Sequence, residues 1–275
     1  ADNVAIGTAS LYANTTASNN TAVGKSALTA NTTGTENTAI GAGAGKALTT
    51  GGFSVAVGFE ALSTEDANGN NVAVGYKALK TLNAGADGFN VAVGDHAGTS
   101  VTTGIQNTLI GAQAGDAITD ADNNVAVGKS AMTTNVLGSE SVAIGTFALN
   151  SQNPASATNM YNVAVGHNTG AAVTTGTRNT LIGGLAGDAL TTGSFNTAFG
   201  YGALSTEDTA NNNTALGYAT LTTLNGGTQN VAVGQSAAAA MTTGNQNTII
   251  GTNAGDALTT SNANTALGYL SLSAE

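Results

Sequence analysis

Asn71-Val72-Ala73-Val74-Gly75 is a five-residue phrase that recurs along the whole chain. It opens the sequence as Asn3-Val4-Ala5-Ile6-Gly7 and returns near its end as Asn264-Thr265-Ala266-Leu267-Gly268. Its closing glycine falls at Gly7, Gly24, Gly41, Gly58, Gly75, Gly94, Gly111, Gly128, Gly145, Gly166, Gly183, Gly200, Gly217, Gly234, Gly251 and Gly268, sixteen copies in all. Thirteen of the fifteen steps are 17 residues; the others are 19 (Gly75 to Gly94) and 21 (Gly145 to Gly166). A fixed short period over a whole chain marks a solenoid.

With the glycine as position 0, position −4 is Asn in fourteen copies and Ser at Ser54 and Ser141. Position −3 is always Val or Thr, and position −2 is Ala in thirteen copies. Position −1 is always a large apolar residue. Alternation rich in β-branched residues over so short a run is a strand signal. Residues two apart in a strand share a face. Because −1 is never polar, the expectation is that −3 and −1 point inward. The core column is then Ile6, Val23, Ile40, Val57, Val74, Val93, Ile110, Val127, Ile144, Val165, Ile182, Phe199, Leu216, Val233, Ile250 and Leu267. The Ala at −2 and the Gly at 0 would form a flat outer face.

The asparagines, Asn3, Asn20, Asn37, Asn71, Asn90, Asn107, Asn124, Asn162, Asn179, Asn196, Asn213, Asn230, Asn247 and Asn264, stack in register from coil to coil. Asn at a corner bonds the backbone of a turn, and stacked amides bond one another along the axis. They are read as a structural ladder.

The second half of each coil comes in two kinds. One places a large apolar residue at +4 (Leu28, Leu62, Leu79, Met132); the other has Gly or Ala at +4 and moves the apolar residue to +7 (Leu48, Val101, Ile118, Leu190). A shorter second strand with two local paths is expected, since the core must stay filled. From the fourth coil the kinds alternate in pairs, giving a four-coil superrepeat marked by Ala114-Gly115-Asp116-Ala117, Ala186-Gly187-Asp188-Ala189 and Ala254-Gly255-Asp256-Ala257. The longer steps add residues at 83–88 and 150–161; insertions in solenoids map to loops.

The fold class is thus all-β: a parallel β-solenoid, or β-roll, of 16 coils of about 17 residues, one elongated domain over 1–275. At a strand spacing of about 4.8 Å, sixteen coils make a rod of about 75 Å. Ala1 and Asp2 lead straight into a strand and the chain stops at Glu275, soon after Leu272. Bare sheet edges template pairing with another chain, so head-to-tail stacking of copies is expected.

Asn-Val-Ala-Val-Gly, Asn-Thr-Ala-Ile-Gly and Ser-Val-Ala-Ile-Gly resemble the head repeats of YadA-type trimeric autotransporter adhesins and related bacteriophage fibre repeats. The resemblance implies a β-roll, packing of three chains, and an extracellular setting. The period here is 17 rather than about 14, and neither stalk heptads nor anchor strands accompany the repeats.

Composition narrows the chemistry. The formal net charge is −10 with only six basic residues, a poor balance for neutralising phosphates. There is no cysteine, hence no thiolate metal site or disulfide. No stretch reaches the roughly 18 apolar residues of a membrane span. His96 and His167 sit in matching coils about 19 Å apart at strand spacing, too far to share a metal. Gly41-Ala42-Gly43-Ala44-Gly45-Lys46 looks like a phosphate loop but is one copy of the repeat. No enzyme, cofactor or metal is expected.

The expected role is a structural subunit of an extracellular microbial or phage fibre whose partners are copies of itself, end to end or as a trimer. The alternative is an adhesin or receptor-binding head with a cell-surface receptor. Neither nucleic acid nor membrane insertion is expected. An ice-binding array ranks below both, because the Thr at −3 alternates with Val and is expected to face inward.

Overall fold

The computed structural model describes residues 2–273 and is an all-β parallel solenoid. The terminal residues Ala1 and Glu275, which bear on end-to-end stacking, lie outside the described residues. In chain order the strands are β1 (Val4–Ile6), β2 (Thr21–Val23), β3 (Thr38–Ile40), β4 (Val55–Val57), β5 (Val72–Val74), β6 (Val91–Val93), β7 (Thr108–Ile110), β8 (Val125–Val127), β9 (Gly138–Ser139), β10 (Val142–Ile144), β11 (Thr158–Asn159), β12 (Val163–Val165), β13 (Thr180–Ile182), β14 (Thr197–Phe199), β15 (Thr214–Leu216), β16 (Val231–Val233), β17 (Thr248–Ile250) and β18 (Thr265–Leu267). Apart from the short β9 and β11, each strand covers positions −3 to −1 of one copy of the phrase.

The coils group into two compact units, Ala1–Ser139 and Glu140–Glu275. In the first, β1 to β8 pair in sequence, all parallel. In the second, β10 pairs with β12, and β12 to β18 follow in order. Register is strict even over the long steps: Ala73 stands opposite Ala92, and Ala143 opposite Ala164. The added residues are absorbed in the turns, so every phrase stays in its column.

The interior corrects the expected facing. From β2 onward the middle residue of each three-residue strand, position −2, is buried, whereas its −3 and −1 neighbours are half-buried or exposed. The predicted core residues Ile6, Val23, Ile40, Val57, Val74, Val93, Ile110, Val127, Ile144, Val165, Ile182, Phe199, Leu216, Val233, Ile250 and Leu267 all lie on the outer face, Phe199 at 50% exposure. The physical reason is width. A 17-residue coil closes around so little space that Ala at −2 and +3, the large residues at +4 or +7 (both in the coils of Leu79 and Leu82 and of Leu221 and Leu224) and the Asn at −4 already fill it. A row of Ile and Phe has no room inside such a coil, since interiors are packed without spare volume.

The second half of each coil is a chain of turns rather than the expected second strand. Non-glycine residues adopt left-handed backbone at regular places, as at Lys77 (φ 56°), Leu79 (φ 47°) and Phe89 (φ 48°). Each such residue is disfavoured by about 1–2 kcal/mol. The left-handed turns are held by bonds to neighbouring coils: Lys77 N–H donates to Phe59 O at 2.9 Å and Leu79 N–H to Ala97 O at 3.0 Å.

The two kinds of coil follow one path, not two. Position +4 is left-handed whether it holds Leu79 (φ 47°) or Gly98 (φ 58°). What differs is the side chain that fills the core. The phrase glycine is fixed by close approach: Gly75 has φ +141°, and a Cβ there would stand 2.2 Å from Gly94 O in the next coil.

Candidate functional site

Three surfaces carry chemistry: the asparagine ladder, the outer face of the sheet, and the edge that follows the phrase glycine.

The ladder is interior. Asn20 to Asn247 of the set are buried, with Asn3 and Asn264 at the outermost strands less so. Asn37 N–H donates to Asn20 Oδ1 at 2.8 Å, and Asn37 Nδ2 donates to Gly51 O at 2.8 Å. The same bonds recur at Asn107, which accepts from Asn124 N–H at 3.0 Å and donates to Ala121 O at 2.8 Å. Most amides thus tie their own coil shut and hold the next in register, leaving no face for a ligand; Asn71 Nδ2 instead donates to Gly69 O at 3.0 Å. Where Ser141 replaces Asn, Gln152 enters the column and accepts from Asn162 Nδ2 at 3.0 Å. Its amide supplies the oxygen that the shorter serine lacks.

The outer face is the corrected position of the −3 and −1 columns. It carries Val or Thr at −3 and Val, Ile, Leu or Phe at −1, without a single charge. Ile40, Ile110, Ile144, Phe199, Leu216 and Ile250 are each 37–50% exposed. Each unit thus presents an exposed apolar row along its strands, and such patches are candidates for interaction surfaces.

No family model, curated protein or solved structure matches this chain.

The edge after the glycine holds Phe59, Tyr76, Tyr201, Tyr218 and Tyr269 at +1, and most of the cations. Phe59 and Tyr76, at +1 in adjacent coils, stack with ring centroids 5.5 Å apart and planes within 13°. Lys77 Nζ lies 4.8 Å from the Tyr76 ring centre, and His96 meets the same ring edge-on at 5.1 Å. Eight coils later Tyr201 and Tyr218 repeat the stack at 5.9 Å, without cations in the adjoining positions. Lys25, Lys46, Lys77 and Lys80 are four of the six basic residues in the chain, and all belong to four neighbouring coils. Lys80 pairs with Glu60 at 2.8 Å and holds its carboxyl below the usual carboxylate range, with Lys46 and Lys77 adding to the same field.

Coil 3 places Ala42 where its neighbours carry Lys25 and Phe59, and Gly43 where they carry Ser26 and Glu60. The missing side chains open a slot of about 300 Å³ lined by Lys25, Ser26, Lys46, Phe59 and Glu60, with Ala42 and Gly43 at its base.

The other residues singled out by sequence remain apart. His96 Nδ1 lies 3.1 Å from Asp95 Oδ1, and Asp116 accepts from Thr133 Oγ1 at 2.9 Å. Among the described residues no group of three or more His, Asp or Glu is gathered as metal ligands. The insertion after Asn150 ends at Tyr161, whose ring lies 5.6 Å from the Arg178 guanidinium, which also approaches Phe195 at 5.4 Å.

Two buried carboxylates escaped the sequence reading. Glu65 and Glu207, at +7 in coils of the same kind, are fully buried. Glu207 Oε1 accepts backbone N–H bonds from Ala210 at 2.7 Å, Asp208 at 3.0 Å and Thr209 at 3.1 Å. Glu65 accepts from Asn68 N–H and Ala84 N–H, each at 3.2 Å. Burial pushes both carboxyls up despite these bonds. The signal was present as the repeated Ser-Thr-Glu-Asp at 63–66 and 205–208, where Glu stands in a column that from Asn14 to Leu258 otherwise holds aliphatic residues, Met, Asn or Gln.

Proposed function

We propose that the chain is a structural subunit of an extracellular microbial or phage fibre that packs laterally against copies of itself through the outer sheet face. The observation that carries this reading is the charge-free row of exposed Ile, Val, Leu and Phe at −1 beside Val and Thr at −3. A second copy suits the face because both surfaces then repeat at one coil spacing, so side chains of one row interdigitate with those of the other. The rest of the surface carries the acidic charge, which disfavours burial elsewhere. The phrase shared with adhesin heads and phage fibres supports both the self-association and the extracellular setting.

Electron microscopy of the purified chain should show bundles or trimers of rods; single rods at high concentration would count against the reading.

Ice is a second candidate occupant of the same face. One ground for setting it aside is overturned, because Thr180, Thr197, Thr248 and Thr265 are exposed; the other stands, since the column is interrupted by Val, as at Val163 and Val231. A thermal-hysteresis measurement separates the two: ice binding needs the face free in the monomer, whereas lateral packing hides it.

A further inference from the structure

We infer that the slot between Lys25 and Phe59 is a binding site for a carboxylate-bearing saccharide of the uronic acid type. This goes beyond the fibre reading and does not depend on it, since the slot and the outer sheet face involve different columns of the coil.

The slot is made by an omitted pair of side chains. In the +1 column Lys25, Ala42, Phe59 and Tyr76 follow one another, and in the +2 column Ser26, Gly43, Glu60 and Lys77. The backbone beneath is continuous, with Gly43 N–H donating to Lys25 O at 2.9 Å and Glu60 N–H to Ala42 O at 3.0 Å. The gap is therefore rigid at its base and bounded on both sides. Lys25 and Phe59 stand two coils apart, about 9.6 Å at strand spacing, which leaves space for one flat ring between them. A Cβ placed on Gly43 would lie 3.6 Å from Glu60 Cγ and 3.9 Å from Lys46 Cδ, so these two stems form the flank.

The lining selects the ligand. Phe59 is 46% exposed, and Tyr76 backs its other face. An aromatic face of this kind takes the apolar C–H face of a pyranose ring. Lys25 and Lys46 form no ion pair with an acid among the described residues. Lys80 already pairs with Glu60, so Lys25 has no acidic partner at the slot and Lys46 only shares the field of Glu60 with Lys80 and Lys77. A ligand carboxylate supplies the missing partner. Glu60 and Ser26 then meet the sugar hydroxyls, which both donate and accept. A neutral sugar leaves the lysines unpaired, and a simple anion leaves Phe59 bare. The Tyr201–Tyr218 stack, without lysines beside it, serves as an internal control for stacking alone.

The test is titration of the full chain with trigalacturonic acid, followed by calorimetry and by the amide shifts of residues 25–26, 42–46 and 59–60. Saturable binding confined to these residues is expected, with inorganic sulfate and the neutral trigalactose each weaker by at least about tenfold, as loss of a charge-assisted hydrogen bond or of the stack implies. Lys46→Ala and Phe59→Ala should each weaken binding by a similar factor. Ala42→Phe should abolish it while keeping the fold, because the same column already accepts Phe59 and Tyr76. The proposal is overturned if Ala42→Phe binds like the parent chain, if sulfate binds as tightly as the trisaccharide, or if no saturation is seen.

Discussion

Leu109 occupies the space that a side chain at Gly98 would need: a Cβ built on Gly98 would stand 2.6 Å from Leu109 Cδ1. The pair explains the two kinds of coil. Where +4 is Leu, −2 stays Ala. Where two successive coils carry a small +4 residue, the −2 position of the second grows to Leu109, Leu181 or Ile249 and fills both gaps. Leu109→Ala should destabilise the fold by about 2–5 kcal/mol, the usual range for a large-to-small change in a packed core. Gly98→Ala alone should cost about 1–3 kcal/mol through overpacking. The two changes together should cost less than their sum, because each makes room for the other. Urea unfolding of the four chains closes this cycle, and strict additivity would contradict the packing relation.

The asparagine ladder yields a second expectation. Asn107→Ala removes the acceptor of Asn124 N–H and the donor to Ala121 O, so two hydrogen bonds are lost in a buried place. Each such loss costs about 1–3 kcal/mol. Asn107→Ser should be milder, since serine already stands in the column at Ser54, where it accepts from Asn71 N–H at 3.3 Å. A serine variant as unstable as the alanine variant would show that the side-chain oxygen is not what holds the coil.

The buried carboxylates set a pH dependence of unusual sign. Burial raises Glu65 and Glu207 above their ordinary value, so in the interval between the ordinary and the raised value the folded chain binds more protons than the unfolded chain. The contribution of these groups to stability is fully present below the ordinary value and is lost as pH rises through the raised one. Mild acidification from neutral pH should therefore raise the melting temperature through these two sites. Glu65→Gln with Glu207→Gln should flatten that slope. A melting temperature that falls over the same interval in the parent chain, with no change in the double variant, would refute the assignment.

The period, the strand at −3 to −1, the in-phase register and the stacked asparagines were all legible in the phrase Asn71-Val72-Ala73-Val74-Gly75. Its facing was not. A three-residue strand has only two ways to point, and a shift of one residue exchanges its faces. Choosing the larger side chains for the interior favoured Val72 and Val74, yet the coil admits only Ala73 there. The deciding signal lay outside the phrase, in the coupling of Leu109, Leu181 and Ile249 to glycine at +4. The slot was equally hidden, because Ala42 and Gly43 read as ordinary repeat residues until Phe59 and Lys25 are placed on either side. For Glu65 and Glu207, a charged residue in a core column was visible, but the backbone donors that receive it come from turns whose path the repeat does not specify.

The central claim is that the −3 and −1 columns face outward and bring copies of the chain together. Ile40→Lys, Ile110→Lys and Ile250→Lys in one chain place like charges along that face without touching a buried residue. Light scattering coupled to size exclusion should give the parent chain a mass of a small multiple of 26.6 kDa or more. The triple variant should elute as a folded monomer with an unchanged β-rich circular dichroism spectrum. A parent chain that is already monomeric at high concentration, or a triple variant that unfolds as a buried-core substitution would, contradicts the claim.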